Sequence, residues 1–276
     1  MRTVRILHRG RPAYGILEGD RVALLAGPPF ERIRRLRTSV PAAEAVWLAP
    51  VEPPNVLAIG LNYRRHAAES GKAPPDHPIL FIKATTAVVG PGAPIVLPRM
   101  APDEVDYEAE LVAVIGRTAR HVAAGEAMRY VFGCTCGNDV SARDCQLRLD
   151  GQWARGKSFD SFCPLGPWID TEVCPDDLAV CSRLNGQTMQ ESRTSDMVFG
   201  VADLVAFLSS VMTLLPGTVI MTGTPAGVGW ARRPPVFLRP GDTIEVTIEG
   251  IGNLVNPVVA DDDGGARRSA RKPVTT

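Results

Sequence analysis

The chain has 276 residues, and its 30 Lys and Arg are balanced by 30 Asp and Glu, giving a formal charge of zero. Zero charge removes the basic footprint of a nucleic-acid or membrane-surface binder and leaves a small molecule as the expected partner. Apolar content of 45% with 26 Gly and 24 Pro excludes a disordered chain or a helical bundle and predicts a loop-rich, strand-rich fold, long enough for one full core and a small appendage.

Met1-Arg2-Thr3-Val4-Arg5-Ile6 is charged and lacks the apolar core of a signal peptide, so a cytoplasmic protein is expected. Residues 1–26 read as short strands with turns at Arg9-Gly10-Arg11-Pro12 and Glu18-Gly19-Asp20, within a small β-rich N-terminal domain of residues 1–50. Arg32, Arg34, Arg35 and Arg37 cluster on a short segment that reads as a solvated helix face. The proline-rich stretch 50–54 reads as a linker. From 55 to 260 strands dominate, at 56–61, 79–83, 107–115, 134–139, 180–184, 218–222, 243–249 and 254–259. Without regular βα alternation this predicts a mixed or antiparallel, mainly β fold with few helices. Asn185-Gly186 is a strong two-residue hairpin signal. The apolar run from Val198 to Met221 has nearly the length of a membrane span, but Asp203, Ser209, Ser210 and Pro216-Gly217 divide it into a helix of about a dozen residues and a buried strand. Six cysteines without C-x-x-C spacing read as small buried hydrophobes in a reducing compartment. Residues 261–276 read as a disordered tail.

Chemistry concentrates in Asp106-Tyr107-Glu108-Ala109-Glu110-Leu111. Side chains alternate along a strand, so Glu108 and Glu110 share a face of an otherwise apolar element, a costly arrangement without a cation. Asp139, after the strand-like 133–138, completes an all-oxygen set that suits Mg²⁺ or Mn²⁺, with Ca²⁺ able to substitute, rather than Zn²⁺. The competing reading of a bare E-x-E is a solvated face of an antiparallel strand.

Further stretches fall into register with one family. Ile59-Gly60-Leu61-Asn62-Tyr63-Arg64-Arg65-His66-Ala67-Ala68-Glu69, Phe81-Ile82-Lys83, the E-x-E strand, Asn138-Asp139-Val140-Ser141-Ala142-Arg143-Asp144, Gly156-Lys157-Ser158-Phe159-Asp160, Thr222-Gly223-Thr224-Pro225-Ala226-Gly227-Val228-Gly229 and Pro240-Gly241-Asp242-Thr243-Ile244-Glu245-Val246 resemble, in unbroken order, the signatures of the fumarylacetoacetate hydrolase family. One departure is Ala84, where the family often has Pro. The resemblance covers about residues 55–259. It implies a distorted β-barrel or rolled β-sandwich core, a homodimer, a metal held by Glu108, Glu110 and Asp139, and a bacterial acylpyruvase-like or 2-hydroxyhepta-2,4-diene-1,7-dioate isomerase-like member.

The chemistry so implied is cleavage of a C–C bond in an acylpyruvate-like β-diketo acid, with pyruvate leaving as an enolate beside the dication. His66 and Glu69, three apart on a short helix, are implied to be a water-activating dyad on a mobile lid, with 71–78 as its hinge; taken alone, H-x-x-E is a surface pair. Lys157 is implied to hold a developing oxyanion or carboxylate, and Gln146 to position water or a substrate oxygen. Arg143 and Lys83 are assigned to the metal and substrate shell, and Thr224, in its Thr-Gly-Thr-Pro turn, to a substrate carboxylate. Arg232 and Arg233, after Gly229, are candidates to meet a distal carboxylate. The same site would also serve oxaloacetate decarboxylation, or isomerisation or hydration of 2-hydroxy-dienedioates, and a non-catalytic binding protein is the rival class.

Overall fold

The computed structural model describes residues 1–30 and 32–261, so the expected tail lies, but for Asp261, outside the described residues. Strands β1 (Arg2–His8), β2 (Arg11–Glu18), β3 (Arg21–Leu25) and β4 (Arg35–Pro41) form an antiparallel meander, and β5 (Val46–Leu48) joins the other edge of β1. The arginine cluster is therefore not a helix face. Arg35 and Arg37 lie in β4, whose first five residues are exposed, and Arg35 pairs with Glu18 at 2.6 Å. Alternation through Thr38 and Val40 favours the strand, and β4 ends its sheet, where exposed charge discourages further pairing.

The remaining elements are β6 (Val56–Gly60), α1 (Arg64–Glu69), β7 (Ile79–Lys83), β8 (Val88–Val89), β9 (Ile95–Leu97), β10 (Val105–Asp106), β11 (Ala109–Ile115), α2 (Ala124–Ala127), β12 (Val131–Asn138), β13 (Ser141–Ala142), α3 (Ala154–Lys157), β14 (Cys163–Asp170), β15 (Ala179–Leu184), β16 (Gln187–Arg193), α4 (Val201–Val211), β17 (Val219–Met221), β18 (Thr243–Ile248) and β19 (Gly252–Ala260). Helices are few and the architecture is mainly β, as expected. One mixed sheet runs β4-β3-β2-β1-β14-β12-β11-β17-β6-β7, and a second, β16-β15-β18-β19-β9, packs against its β11, β12 and β14. Most pairs are antiparallel, while β17 runs parallel to β6 and β9 parallel to β19. Asn185 and Gly186, with φ of 52° and 82°, make the tight hairpin turn between β15 and β16.

Strand β11 is buried along its whole length. Ala109, Leu111, Ala113 and Ile115 face α4 and the second sheet, packing with Leu204, Leu208, Val180 and Val246. Val112 and Val114 face a second core containing Val56, Ala58, Leu165 and Met221. Glu110 takes the Val112 side by alternation and is 1% exposed, so the solvated-face reading fails. The 198–221 run breaks where expected, into α4 and β17, and among the described residues no helix is long and apolar enough to cross a membrane. The cysteines are free, four of them buried, Cys181 partly so and Cys174 exposed.

Candidate active site

Three segments carry the acids. The chain reaches β11 through Glu108, whose backbone N–H donates to Asn138 Oδ1 (3.0 Å) and whose carbonyl accepts from Asp139 N–H (2.9 Å), so the ladder between β11 and β12 continues past both strands and holds Glu108 beside Asp139. Glu108, Glu110 and Asp139 are all buried and offer oxygens within 4.8 Å of one another. Lys157, delivered by α3, places Nζ 2.6 Å from Asp139 Oδ2 and 2.9 Å from Glu108 Oε2, while Lys83 at the end of β7 bonds Asp139 Oδ1. Arg143 Nη1 lies 2.7 Å from Glu108 Oε1 and donates to Gln146 Oε1 at 2.7 Å, which leaves the Gln146 amide N–H groups as donors.

The acids differ electrostatically. Burial pushes Glu108 upward, but Lys157 and Arg143 outweigh it and hold the carboxyl well below the ordinary range. Burial, with Asp139 and Glu108 close by, pushes Glu110 well above that range; its carboxylate accepts from Gly223 N–H at 2.9 Å. For Lys157, burial is outweighed by Asp139 and Glu108, and its pKa rises. An all-oxygen set in which one buried carboxylate has no ion pair among the described residues fits a hard divalent ion, since such an ion would remove the cost carried by Glu110.

His66, 8% exposed, and Glu69 lie on α1, with Nδ1 3.1 Å from Glu69 Oε2. The other oxygen, Oε1, accepts from Gly227 N–H at 2.9 Å, so one carboxylate ties α1 both to the imidazole and to the 222–229 loop. Gly71 does not act simply as a loose hinge residue. At φ +67° it closes α1, with Gly71 N–H donating to Ala68 O (3.0 Å) and Lys72 N–H to Ala67 O (2.9 Å), the paired bonds of a Schellman cap.

His66, Glu108, Arg143, Gln146, Lys157 and Thr224 open onto one cavity of about 170 Å³. Its apolar wall includes Leu61, Phe81, Trp153 and Trp230. Phe81 and Trp153 meet edge to face at 5.5 Å, and Gly60 leaves the space that Trp153 fills, since a Cβ there would lie 2.5 Å from the ring. The structure therefore brings the residues of the expected site together, with Lys83, Glu110 and Asp139 behind the lining and Glu69 acting from outside it. Two expectations need correction. The Thr224 hydroxyl donates to Ala109 O (3.0 Å) and accepts from Gln190 Nε2 (2.7 Å), so its proton is already committed to the sheet and only its backbone N–H remains for a carboxylate. Arg232 and Arg233 turn their guanidinium groups onto backbone carbonyls of Gly227, Met189, Trp230 and Ala231, and neither lines the cavity.

Three supporting residues were not among the expected site residues. Asp106, fully buried, accepts from Tyr107, Gly229 and Trp230 N–H groups (2.8 to 3.0 Å) and pairs with Arg143 at 2.8 Å. Asn62 fixes the chain before α1 through Thr222 and Phe199. Gln190 bonds Ala109 N–H, Thr224 and the Pro225 carbonyl, fastening the 222–229 loop to β11. Only Asp106 had a signal available, as a third acid at the two-residue spacing of Glu108 and Glu110.

Residues 55–259 match the model of the fumarylacetoacetate (FAA) hydrolase C-terminal domain. The chain belongs to the fumarylacetoacetate hydrolase family. Residues 1–50 match a second model, described as Rv2993c-like, N-terminal. Among curated relatives of this family member, the mitochondrial oxaloacetate tautomerase Fahd2a of Rattus norvegicus is 43% identical over 260 residues, covering 93% of this chain and 79% of that protein. The structure titled 5-carboxymethyl-2-hydroxymuconate delta-isomerase from Mycobacterium smegmatis superposes with TM-score 0.86 at 45% identity, covering 94% of this chain and all of that one. That titled 2-hydroxyhepta-2,4-diene-1,7-dioate isomerase from Mycobacterium marinum gives 0.85 at 43% identity over 95% of this chain and 99% of that one. The chain is an enzyme-family member whose relatives are named for tautomerase and isomerase reactions.

Proposed function

We propose that this protein is a Mg²⁺- or Mn²⁺-dependent enzyme that interconverts the enol and keto forms of 2-oxo acids, or shifts the double bond of their 2-hydroxy-diene relatives. The observation that carries the reading is the cavity itself: His66, whose imidazole can take and give a proton, shares it with Arg143, Gln146 and Lys157 beside the buried carboxylates, while its other lining side chains include no thiol. The names of the relatives support the same class.

Glu108, Glu110 and Asp139 would hold the dication, which when bound supplies Lewis-acid polarisation of the 2-oxo oxygen and neutralises charge gathering there. The Gln146 amide and the Thr224 backbone N–H are the donors for the substrate carboxylate next to that oxygen. With Nδ1 held by Glu69, the imidazole keeps Nε2 available to take a proton from C3 as the enolate forms and to return it in the reverse direction, while the 2-oxygen exchanges its own proton with solvent. Lys157 adds a buried positive charge where the enolate oxygen develops. Phe81, Trp153 and Trp230 narrow the access of water, which strengthens each of these interactions.

Hydrolysis of a C–C bond in an acylpyruvate is the second reading, and the His66 and Glu69 geometry favours it, because the same Nε2 can take a proton from water attacking the distal carbonyl. Oxaloacetate decarboxylation would need the electron sink without that base. One panel separates them: enol-oxaloacetate, acylpyruvates and hydroxymuconate-type acids, each with Mg²⁺ and Mn²⁺, followed by loss of the enol absorbance and by pyruvate release. Tautomerisation predicts decay of the enol band with no pyruvate beyond the spontaneous rate. Fast pyruvate release from acylpyruvates would replace it with hydrolysis, and metal-dependent oxalate binding without any turnover would mark a binding protein.

A further inference from the structure

The cations of the cavity are not equivalent. Arg143 is committed to Asp106 and Glu108, and Lys157 to Glu108 and Asp139, whereas Lys72 also lines the cavity, is exposed, and among the described residues its ammonium makes no hydrogen bond or ion pair. Its position is built, since the Schellman cap at Gly71 fixes the Lys72 backbone against Ala67 directly after the helix that carries His66.

The charges of the inner site say what Lys72 would meet. With all of them ionised, as around a bound dication, four buried carboxylates (Asp106, Glu108, Glu110, Asp139) face three buried cations (Lys83, Arg143, Lys157), one negative charge in excess. A bound dication turns this into one positive charge, which a single 2-oxo carboxylate neutralises. A second carboxylate on the same substrate then has no counter-charge within the inner site. Arg232 and Arg233 are tied to backbone carbonyls, so among the described residues the unpaired cation facing the cavity is Lys72. Resting on the reading of the site as a 2-oxo acid site, we propose that Lys72 receives the distal carboxylate of the substrate and selects dicarboxylic over monocarboxylic 2-oxo acids. Two features at the mouth strengthen this: Ser70 adds a hydroxyl beside Lys72, and the apolar side chains of Leu61, Ile79 and Leu147 line the cavity and could pack on a carbon chain between two charged ends. An exposed flexible ammonium acts as a point charge, so the selection is expected to weaken as salt is raised.

Two matched compounds of equal length test this without turnover: 2-oxoglutarate and 2-oxopentanoate, titrated calorimetrically into the Mn²⁺-loaded protein and its Lys72→Met and Lys72→Arg variants. The parent is expected to bind the diacid about two- to fivefold more tightly, the order of effect a single exposed ion pair gives. Lys72→Met should abolish the difference by weakening the diacid alone, and Lys72→Arg should retain most of it. In turnover, Lys72→Met should raise KM for diacids while kcat and the kinetics of monoacids stay near the parent values. Equal binding of both compounds by the parent, or equal losses for both in Lys72→Met, would overturn the role of Lys72 and leave the 2-oxo acid reading intact. Failure of the parent to bind either compound would overturn both.

Discussion

Replacing Glu110 by Gln should stabilise the metal-free protein while abolishing metal binding. Glu110 is 1% exposed, accepts a hydrogen bond from Gly223 N–H, and has its oxygens within 4.8 Å of those of Glu108 and Asp139. Two like charges at that spacing repel by about 3.5 kcal/mol at an effective dielectric near 20. Lys157 and Lys83 offset part of this, and Gln keeps an acceptor for Gly223, so a net gain of about 1 to 3 kcal/mol is expected, or roughly 2 to 4 °C in Tm per kcal/mol. The sign with pH follows from the raised pKa. The folded state holds the Glu110 proton more tightly than the unfolded state, so this contribution is fully present below the ordinary value of 4.5 and is lost as pH rises towards the folded-state pKa. The gap between variant and parent should therefore be small at pH 4.5 and widen towards neutrality. Thermal melts in chelator across this range, with Mn²⁺ titrations of both proteins at pH 7, give the answer. A variant that melts below its parent at neutral pH, or that binds Mn²⁺ as tightly, would refute the carboxylate crowding on which the metal assignment rests.

Mn²⁺ uptake by the parent should release protons, read as a dependence of the calorimetric enthalpy on the buffer, and this dependence should shrink in Glu110→Gln. His66→Gln should cut turnover by about a hundredfold or more with Mn²⁺ affinity unchanged; if decarboxylation of oxaloacetate falls as far as proton transfer does, His66 orients the substrate and is not the base. Arg143→Met leaves Asp106 and Glu108 short of a buried partner and should cost about 3 to 5 kcal/mol in denaturant unfolding. Gly227→Ala should lower both Tm and activity, because φ is +103° and the new Cβ would lie 2.3 Å from the Met189 carbonyl, in the loop that anchors Glu69.

Features set by local pattern were legible in the sequence: alternation put Glu108 and Glu110 on one side of an apolar element, Asn185-Gly186 announced its hairpin, and Pro216-Gly217 separated α4 from β17. Residues 71–78 read only as a hinge, and the capping at Gly71 that fixes Lys72 was not visible. β14 escaped notice because Cys163-Pro164-Leu165-Gly166-Pro167-Trp168-Ile169-Asp170 has two prolines and a glycine that read as loop, yet it lies mid-sheet between β1 and β12, its pairing with β12 broken by an irregularity. The arginines of 32–37 misled because charge alone does not separate an exposed helix from an edge strand. The division of labour among cations was out of reach altogether. Whether Arg143 or Arg232 faces the cavity depends on which carbonyls and carboxylates the fold sets beside each, and no local pattern encodes that.

The place of β14 bears on how the N-terminal fifty residues can be treated. They are not an independent bead on a linker, because β1 hydrogen-bonds Asp170 and Ile169 and the meander continues the sheet that holds β11. Cutting the chain at the proline-rich stretch would bare the flank of a mid-sheet strand only two pairings removed from the metal ligands, with idle N–H and C=O groups ready to recruit another chain. A shortened protein would thus be expected to self-associate or precipitate before its chemistry could be assayed, and transplanting this segment onto another member would need a compatible β14 as well as a compatible linker.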